Sequence, residues 1–249
     1  MNQVIETLLN HRSVRDFEDK PLTLEQVETI VASAQAASTS SFVQAYSIIG
    51  VTDRDKKEKL AEVVGNQPYV AKNGHFFVFC ADLHRHAVVG EMENVDVTSP
   101  IESTEKFMVA VVDASLAAQN AAAAAESMGL GICYIGGVRN NLEAVQQILK
   151  TPDHVLPVFG MAVGYPASLN DRKPRLPLRH VYMENEYQQD EQLYKKQLEE
   201  YNEIVAGYYA ERTGGKRRDT WTGQMASMFE KKARMYMKEF VAKIKMNIR

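Results

Sequence analysis

Cysteine, tryptophan and long apolar runs are all scarce in this chain. The 249 residues include two cysteines and one tryptophan. Cys80 and Cys133 stand far apart within apolar stretches, which fits buried thiols in a reducing compartment better than a disulfide scaffold or a metal site. No run reaches the roughly eighteen apolar residues that signal a membrane span. The opening MNQVIETLLNHRSVRDF has no basic leader followed by a continuous apolar stretch, so a cytoplasmic location is expected. Charge of one sign is also lacking. With 29 basic and 32 acidic residues the net charge is −3, too slight for a chain organised around nucleic acid or another polyanion. There is no G-x-x-x-x-G-K-[ST] phosphate loop, no G-x-S-x-G elbow and no H-E-x-x-H zinc helix. Gly129-Leu-Gly131 begins like a dinucleotide fingerprint, but Tyr134 holds the place of the third glycine. It also follows a helical pattern and precedes a strand, the wrong order for a pyrophosphate on a helix N-terminus.

The composition itself, 45% apolar and 24% charged, is that of a folded globular chain. A short amphipathic helix is marked by Val4, Ile5, Leu8 and Leu9. Thr23-Leu-Glu-Gln26 fits a capping box ahead of Val27, Ile30, Val31 and Ala34 at helical spacing. Tyr46–Val51 and His75–Ala81 read as strands around a polar helix from Asp53 to Val64. The longest helical pattern runs over 102–128 and stops at Gly129. Its second half is nearly all small residues, which suits the centre of the fold or a subunit contact. A strand at Ile132–Ile135, a helix over Asn141–Leu149 and a strand over Val155–Val163 follow. Beyond residue 164 a loop with Pro166, Pro174 and Pro177 breaks the alternation, and helices are expected over 190–211 and 221–244. The expectation is an α+β or α/β domain with a helical C-terminal extension. Residues 184–203 hold seven acids against two bases, and 230–249 seven bases against two acids. Those stretches read as solvated helix faces that attract one another, with docking of an anionic partner as the alternative.

Several segments could hold an anion. His11, Arg12, Ser13 and Arg15 place two guanidiniums, an imidazole and a hydroxyl within five residues, enough for charge-assisted bonds to a phosphate. Lys173-Pro174-Arg175 sets a stiff residue between two cations. Arg212-Thr-Gly-Gly-Lys-Arg-Arg218 concentrates four cations around a flexible Gly-Gly, and reads as a phosphate grip, a nucleic-acid contact or a solvated loop. Other segments suit a flat ring system. Ser38 to Ser41 offers hydroxyls and backbone N–H groups, and Tyr134-Ile135-Gly136-Gly137 ends a strand with two glycines that admit close approach of a ligand. Gln67-Pro68-Tyr69 could present an amide to a ring edge or form a surface turn. His154 reads as the end of the preceding helix, and Met225, Met228, Met235, Met237 and Met246 as helix packing.

In their order and spacing, these segments resemble the oxygen-insensitive nitroreductases of the NADPH-dependent type, which include bacterial NADPH–flavin oxidoreductases. The resemblance covers essentially the whole chain. It rests on His11-Arg-Ser-Val-Arg15, Ser38-Thr-Ser-Ser41 followed by Phe42-Val-Gln44, Ala123-Ala-Ala-Glu-Ser-Met-Gly-Leu-Gly131, Tyr134-Ile-Gly-Gly137, Lys173-Pro-Arg-Leu176 and Arg217-Arg-Asp-Thr-Trp221. Thr39 departs from a common run of serines, and Gly214-Gly215 from other members' basic loop.

The resemblance implies one nitroreductase-like FMN-binding domain over 1–249, α+β in class. A central mixed β-sheet would be flanked by helices, and the helical extension over 166–249 would contact NADPH and wrap the partner of a homodimer. His11, Ser13, Arg15, Lys173 and Arg175 would hold the FMN phosphate, with Arg12 at the flavin. Ser38, Thr39 and Ser40 would border the cofactor, and Gln67 and Tyr69 would flank its ring. Tyr134, Ile135, Gly136 and Gly137 would supply a wall and a main-chain donor. Arg212, Lys216 and Arg217, together with Arg139, would meet the 2′-phosphate of NADPH. The implied activity is hydride transfer from NADPH to bound FMN and onward electron transfer, by a ping-pong mechanism, to free flavin, nitroaromatics, quinones or similar planar acceptors. No dedicated catalytic side chain and no metal is implied. The competing reading is a nonenzymatic polyanion-binding module using the basic C-terminal segments.

Overall fold

In the computed structural model residues 2–249 are described. They divide into two compact units, one formed by residues up to Asn170 together with Tyr236–Arg249, the other by Asp171–Met235.

The first unit is built on a four-stranded sheet with helices on both faces. Its elements are α1 (Gln3–Leu9), α2 (Leu24–Gln35), β1 (Tyr46–Val51), α3 (Arg54–Val63), α4 (Pro68–Ala71), β2 (His75–Asp82), α5 (His84–Glu93), α6 (Thr98–Ile101), α7 (Thr104–Ser127), β3 (Gly131–Ile135), α8 (Leu142–Leu149) and β4 (Val155–Gly164). The strand order is β1-β2-β4-β3. All three ladders are antiparallel, and a parallel bridge from Ser13 to Ile132 makes the sheet mixed. The inner strands β2 and β4 are buried almost throughout, because both of their faces are covered.

Alternation along the strands divides the core in two. Phe77, Phe79, Ile132, Met161 and Val163 face Ile30 of α2 and the alanines of α7. Phe76, Val78, Cys133 and Ala162 face Leu60, Leu142, Val145 and Phe240. The small side chains of α7 let it lie close to the sheet: Ala114, Ala117, Ala118, Ala121 and Ala125 are buried. By length and composition α7 could cross a bilayer, yet that alanine face is covered by protein. Its other side leaves Met108, Val112 and Leu116 exposed.

The second unit contains α9 (Glu191–Arg212) and α10 (Trp221–Glu230). Tyr201, Val205 and Tyr209 of α9 form its small core, with Leu176 and Trp221 packed against them.

The structure corrects several expectations. The single helix over 221–244 is two: α10 ends at Glu230, and α11 (Met237–Lys243) begins after a break in which Lys232 and Arg234 take positive φ. The reason is packing, since Phe240, Val241, Ile244 and Met246 belong to the core of the first unit. Met246 is buried as expected, whereas Met228 and Met235 are exposed. Three bases of the tail have acidic partners within the first unit: Lys243 pairs with Glu143, Lys245 with Asp153 and Arg249 with Glu102. Gln67-Pro68-Tyr69 is not a plain turn but opens α4, with proline at its first position, where a missing N–H costs nothing. The helices α5 and α6 had no counterpart in the periodicity. His154, at φ 63°, follows α8 and leads into β4.

Candidate active site

The first unit gathers a polar cluster where the chain leaves α1. His11 sits just beyond that helix, and its Nδ1 lies 2.7 Å from Glu126 Oε1 near the end of α7. This leaves Nε2 as the ring atom for a ligand. Ser13 is fixed by its bridge to Ile132 and by Asn170, whose Nδ2 donates to the Ser13 carbonyl at 3.1 Å. Arg12 points away toward Asn10, its Nε donating to that carbonyl at 3.2 Å.

Arg15 is exposed, and its positive charge acts on Tyr69 and Cys133. Burial raises the pKa of Tyr69, while its hydrogen bond with Arg15 pulls the other way. Burial likewise raises the Cys133 thiol, opposed by the Arg15 charge and by a hydrogen bond with Ser13. Ser13, Arg15, Tyr69 and Cys133 thus lie near one another, with Arg15 the cation among them. The Tyr69 hydroxyl also donates to Gln67 Oε1, and Gln67 Nε2 donates to the Val64 carbonyl at 2.8 Å. A Cβ on Gly137 would stand 2.5 Å from that same carbonyl oxygen, so only glycine lets the end of β3 approach α3 so closely.

Tyr134 turns its ring toward α7. Its hydroxyl donates to the Ala118 carbonyl at 2.8 Å and its ring meets Phe159 edge-on at 5.5 Å. Burial holds this phenol protonated by raising its pKa. The segment Tyr134–Gly137 therefore offers a ligand its main chain rather than the tyrosine ring. Arg139 donates to the Val158 carbonyl, and its own carbonyl accepts from Tyr236 at 2.8 Å. Ser38 and Thr39 lead into a 3-10 turn over Ser40–Phe42, tied to α7 through Asp113.

In the second unit, Lys173 and Arg175 flank Pro174, whose carbonyl accepts from the buried Tyr201 at 2.9 Å. Both cations line a cleft of about 310 Å³ with Tyr208 and Trp221. Arg212 and Arg217 are held around the turn after α9. Arg212 donates to the Tyr208 hydroxyl at 3.1 Å. Arg217 bonds Asp219 at 2.7 Å through Nε and lies 4.8 Å over the Tyr209 ring. Lys216 is exposed on the same turn.

Sequence reasoning missed Glu126, Asn170 and Asp113, which hydrogen-bond His11, Ser13 and Ser40. Asp113 had a signal: it is the one acid among the core-facing positions of α7. Among the described residues no cluster of metal-ligating side chains occurs.

A cation supported by hydroxyls, an imidazole with one free nitrogen and a glycine-lined main chain make a receptor for a flat ring bearing an anionic tail. Taken with an α+β sheet enclosed by helices, that arrangement suits an enzyme that binds a cofactor of this shape. The Nitroreductase family profile matches residues 8–165, and the profile of the Nitroreductase family C-terminal domain matches residues 173–249. The FMN reductase (NADPH) of Bacillus subtilis is 56% identical over 241 residues, 97% of each chain. The structure of NfrA1 from B. megaterium superposes with a TM-score of 0.98 at 63% identity, covering 99% of this chain and 100% of that one. The NfrA1 nitroreductase from B. subtilis gives a TM-score of 0.97 at 54% identity, with 99% and 100% covered. The chain belongs to the nitroreductase family.

Proposed function

We propose that the protein is an FMN-dependent NADPH oxidoreductase that reduces free flavin, nitroaromatics, quinones or similar planar acceptors. The observation that carries this reading is geometric: His11, held through Nδ1 by Glu126, and Ser13, held by Asn170 and Ile132, stand beside the exposed Arg15, and Gly137 closes the end of β3 tightly against Val64. The name of the B. subtilis relative, FMN reductase (NADPH), supports the same assignment. Bound FMN would supply the redox chemistry, acceptance of hydride from NADPH and delivery of electrons to a second acceptor, so the protein's task is placement.

Arg15 would supply positive charge for a phosphate, with Ser13 and His11 as further donors. The main chain of Tyr134–Gly137 would give a wall and an N–H donor to the ring, where preorganised donors favour developing negative charge. Gln67 and Tyr69 border the ring, as do Ser38, Thr39 and Ser40, with Arg12 nearby. Lys173 and Arg175 are proposed as further phosphate ligands, and Arg212, Lys216 and Arg217, with Arg139, as the grip on the NADPH 2′-phosphate. NADPH and acceptor would take turns at one face, which gives ping-pong kinetics. The same reading includes a homodimer contacted by residues 166–249, one functional domain over 1–249 and a cytoplasmic location. The polyanion-binding alternative is weakened because Lys243, Lys245 and Arg249 are already paired with acids.

The test is an absorption spectrum of the purified protein, with and without added FMN, followed by NADPH and a panel of acceptors. Flavin absorbance that bleaches with NADPH and returns with acceptor is expected; protein that stays colourless after FMN addition refutes the reading. Arg15→Ala removes a charge-assisted contact of about 1.5–3 kcal/mol, so its flavin Kd should rise at least about tenfold.

A further inference from the structure

The segment joining α2 to β1 includes three non-glycine residues in left-handed conformation: Ser41 at φ 48°, Phe42 at φ 60° and Gln44 at φ 54°. Such conformations persist only where the surroundings over-determine them. Packing of the loop's largest side chain does not do so, because Phe42 is 82% exposed. Side chains from two helices do. The Ser40 N–H donates to Asp113 Oδ1 at 3.1 Å, and the Ala45 N–H to Asp113 Oδ2 at 3.0 Å. His86 of α5 pairs through Nε2 with the Val43 carbonyl at 2.9 Å.

Asp113 itself is fully buried on the alanine face of α7. A carboxylate there is costly unless both oxygens are satisfied, and both are satisfied by the two ends of this one loop. An apolar residue would pack equally well against the sheet but could not close the loop.

We infer that Asp113 is a positioning residue of the site: its carboxylate clips Ser40 to Ala45 and so holds the Ser38–Ser40 edge in the shape that binds the flavin. The inference rests on the proposed FMN reading, which assigns that edge to the cofactor border. It assigns Asp113 no contact with the flavin, and its effect runs through the two backbone amides.

Asp113→Asn tests it, because the side chain keeps its size but offers one acceptor and one donor to two N–H groups. Hydrogen exchange by NMR on the FMN-free and FMN-loaded protein reads the clip. Fluorescence titration with FMN reads the consequence, and urea unfolding controls for global damage. Exchange at the Ser40 or Ala45 amide should quicken about tenfold or more, and the flavin Kd should rise about tenfold or more. The unfolding midpoint should fall only modestly, and exchange in α7 and β1 should quicken no more than that fall in stability accounts for, less than at the two loop amides. Unchanged exchange at both amides overturns the clip. Faster exchange with a flavin Kd within about twofold of wild type overturns the positioning role. If the amide variant does not fold, Asp113→Ser, which retains one acceptor, is put through the same measurements and judged by the same outcomes. Wild-type protein that binds no FMN overturns the functional reading and this inference together, whereas failure of the inference alone leaves wild-type binding intact.

Discussion

His75 makes the protein's response to acid calculable. The imidazole is buried at the start of β2, its ring 4.2 Å from that of Phe77 and its Nε2 in the space that a side chain on Gly50 would fill. Burial, and then the nearby Lys57 ammonium, lower its pKa from 6.5 to about 4. Lys57 is itself buried, with Nζ donating to the Asn73 carbonyl at 2.9 Å. Between those two pH values the unfolded chain binds a proton that the folded chain refuses. Stability contributed by His75 is therefore complete above pH 6.5 and falls as pH drops toward 4. At about 1.4 kcal/mol per pH unit, the full loss is about 3 kcal/mol, and about 2.5 kcal/mol of it is gone by pH 4.5. Urea unfolding of wild type and His75→Gln at pH 7.5 and 4.5 isolates this contribution from carboxylates that titrate in both. Wild type should lose about 2.5 kcal/mol more than the variant. Lys57→Met, which removes the neighbouring cation, should shrink that loss. Acid losses equal to within about 0.5 kcal/mol in wild type and His75→Gln would refute the assignment of the proton to His75.

Gly137→Ala would bring a Cβ to 2.5 Å from the Val64 carbonyl and 3.2 Å from Gln67 Nε2. We expect a loss of about 1–3 kcal/mol and weaker flavin retention, and an unchanged melting temperature would contradict it. Tyr134→Phe deletes the bond to the Ala118 carbonyl. It should cost about 1 kcal/mol of stability in urea and leave flavin affinity near wild type, since the proposed contacts at this segment are main-chain; a large rise in flavin Kd would show that the hydroxyl matters to the site. Arg217→Ala should raise KM for NADPH about tenfold or more while leaving NADH nearly unaffected. Equal effects on both nucleotides in steady-state kinetics would remove Arg217 from the 2′-phosphate.

The fold was legible wherever one segment's own pattern decided its structure. Thr23 and Gln26 form the capping box that their spacing announces, and β1 spans Tyr46–Val51 as its residues suggest. Legibility failed where a distant contact decides. Residues 221–244 have no proline to stop a helix, yet α10 and α11 are separate because the apolar residues of α11 belong to another core. The helix α5 escaped notice because Val88, Val89 and Met92 are exposed, so its apolar residues do not mark a buried stripe.

The candidate site divides along the same line. Residues that would touch a ligand sit in short runs whose chemistry is visible in order: His11 to Arg15, Ser38 to Ser41, Tyr134 to Gly137. Residues that aim them do not. Glu126 lies 115 positions from His11, Asn170 lies 157 from Ser13, and Asp113 lies 73 from Ser40. A carboxylate or amide has no local pattern that names a partner so far away, because the pairing exists only after the sheet and α7 have brought the two together. What the sequence does reveal is a contradiction: an acid among core alanines must have found its hydrogen bonds somewhere. In α7 that contradiction marks Asp113, and its resolution lies in the backbone of the loop bordering the proposed flavin site. A charged residue at an apolar register position is thus a pointer to the part of the site that the motifs leave out.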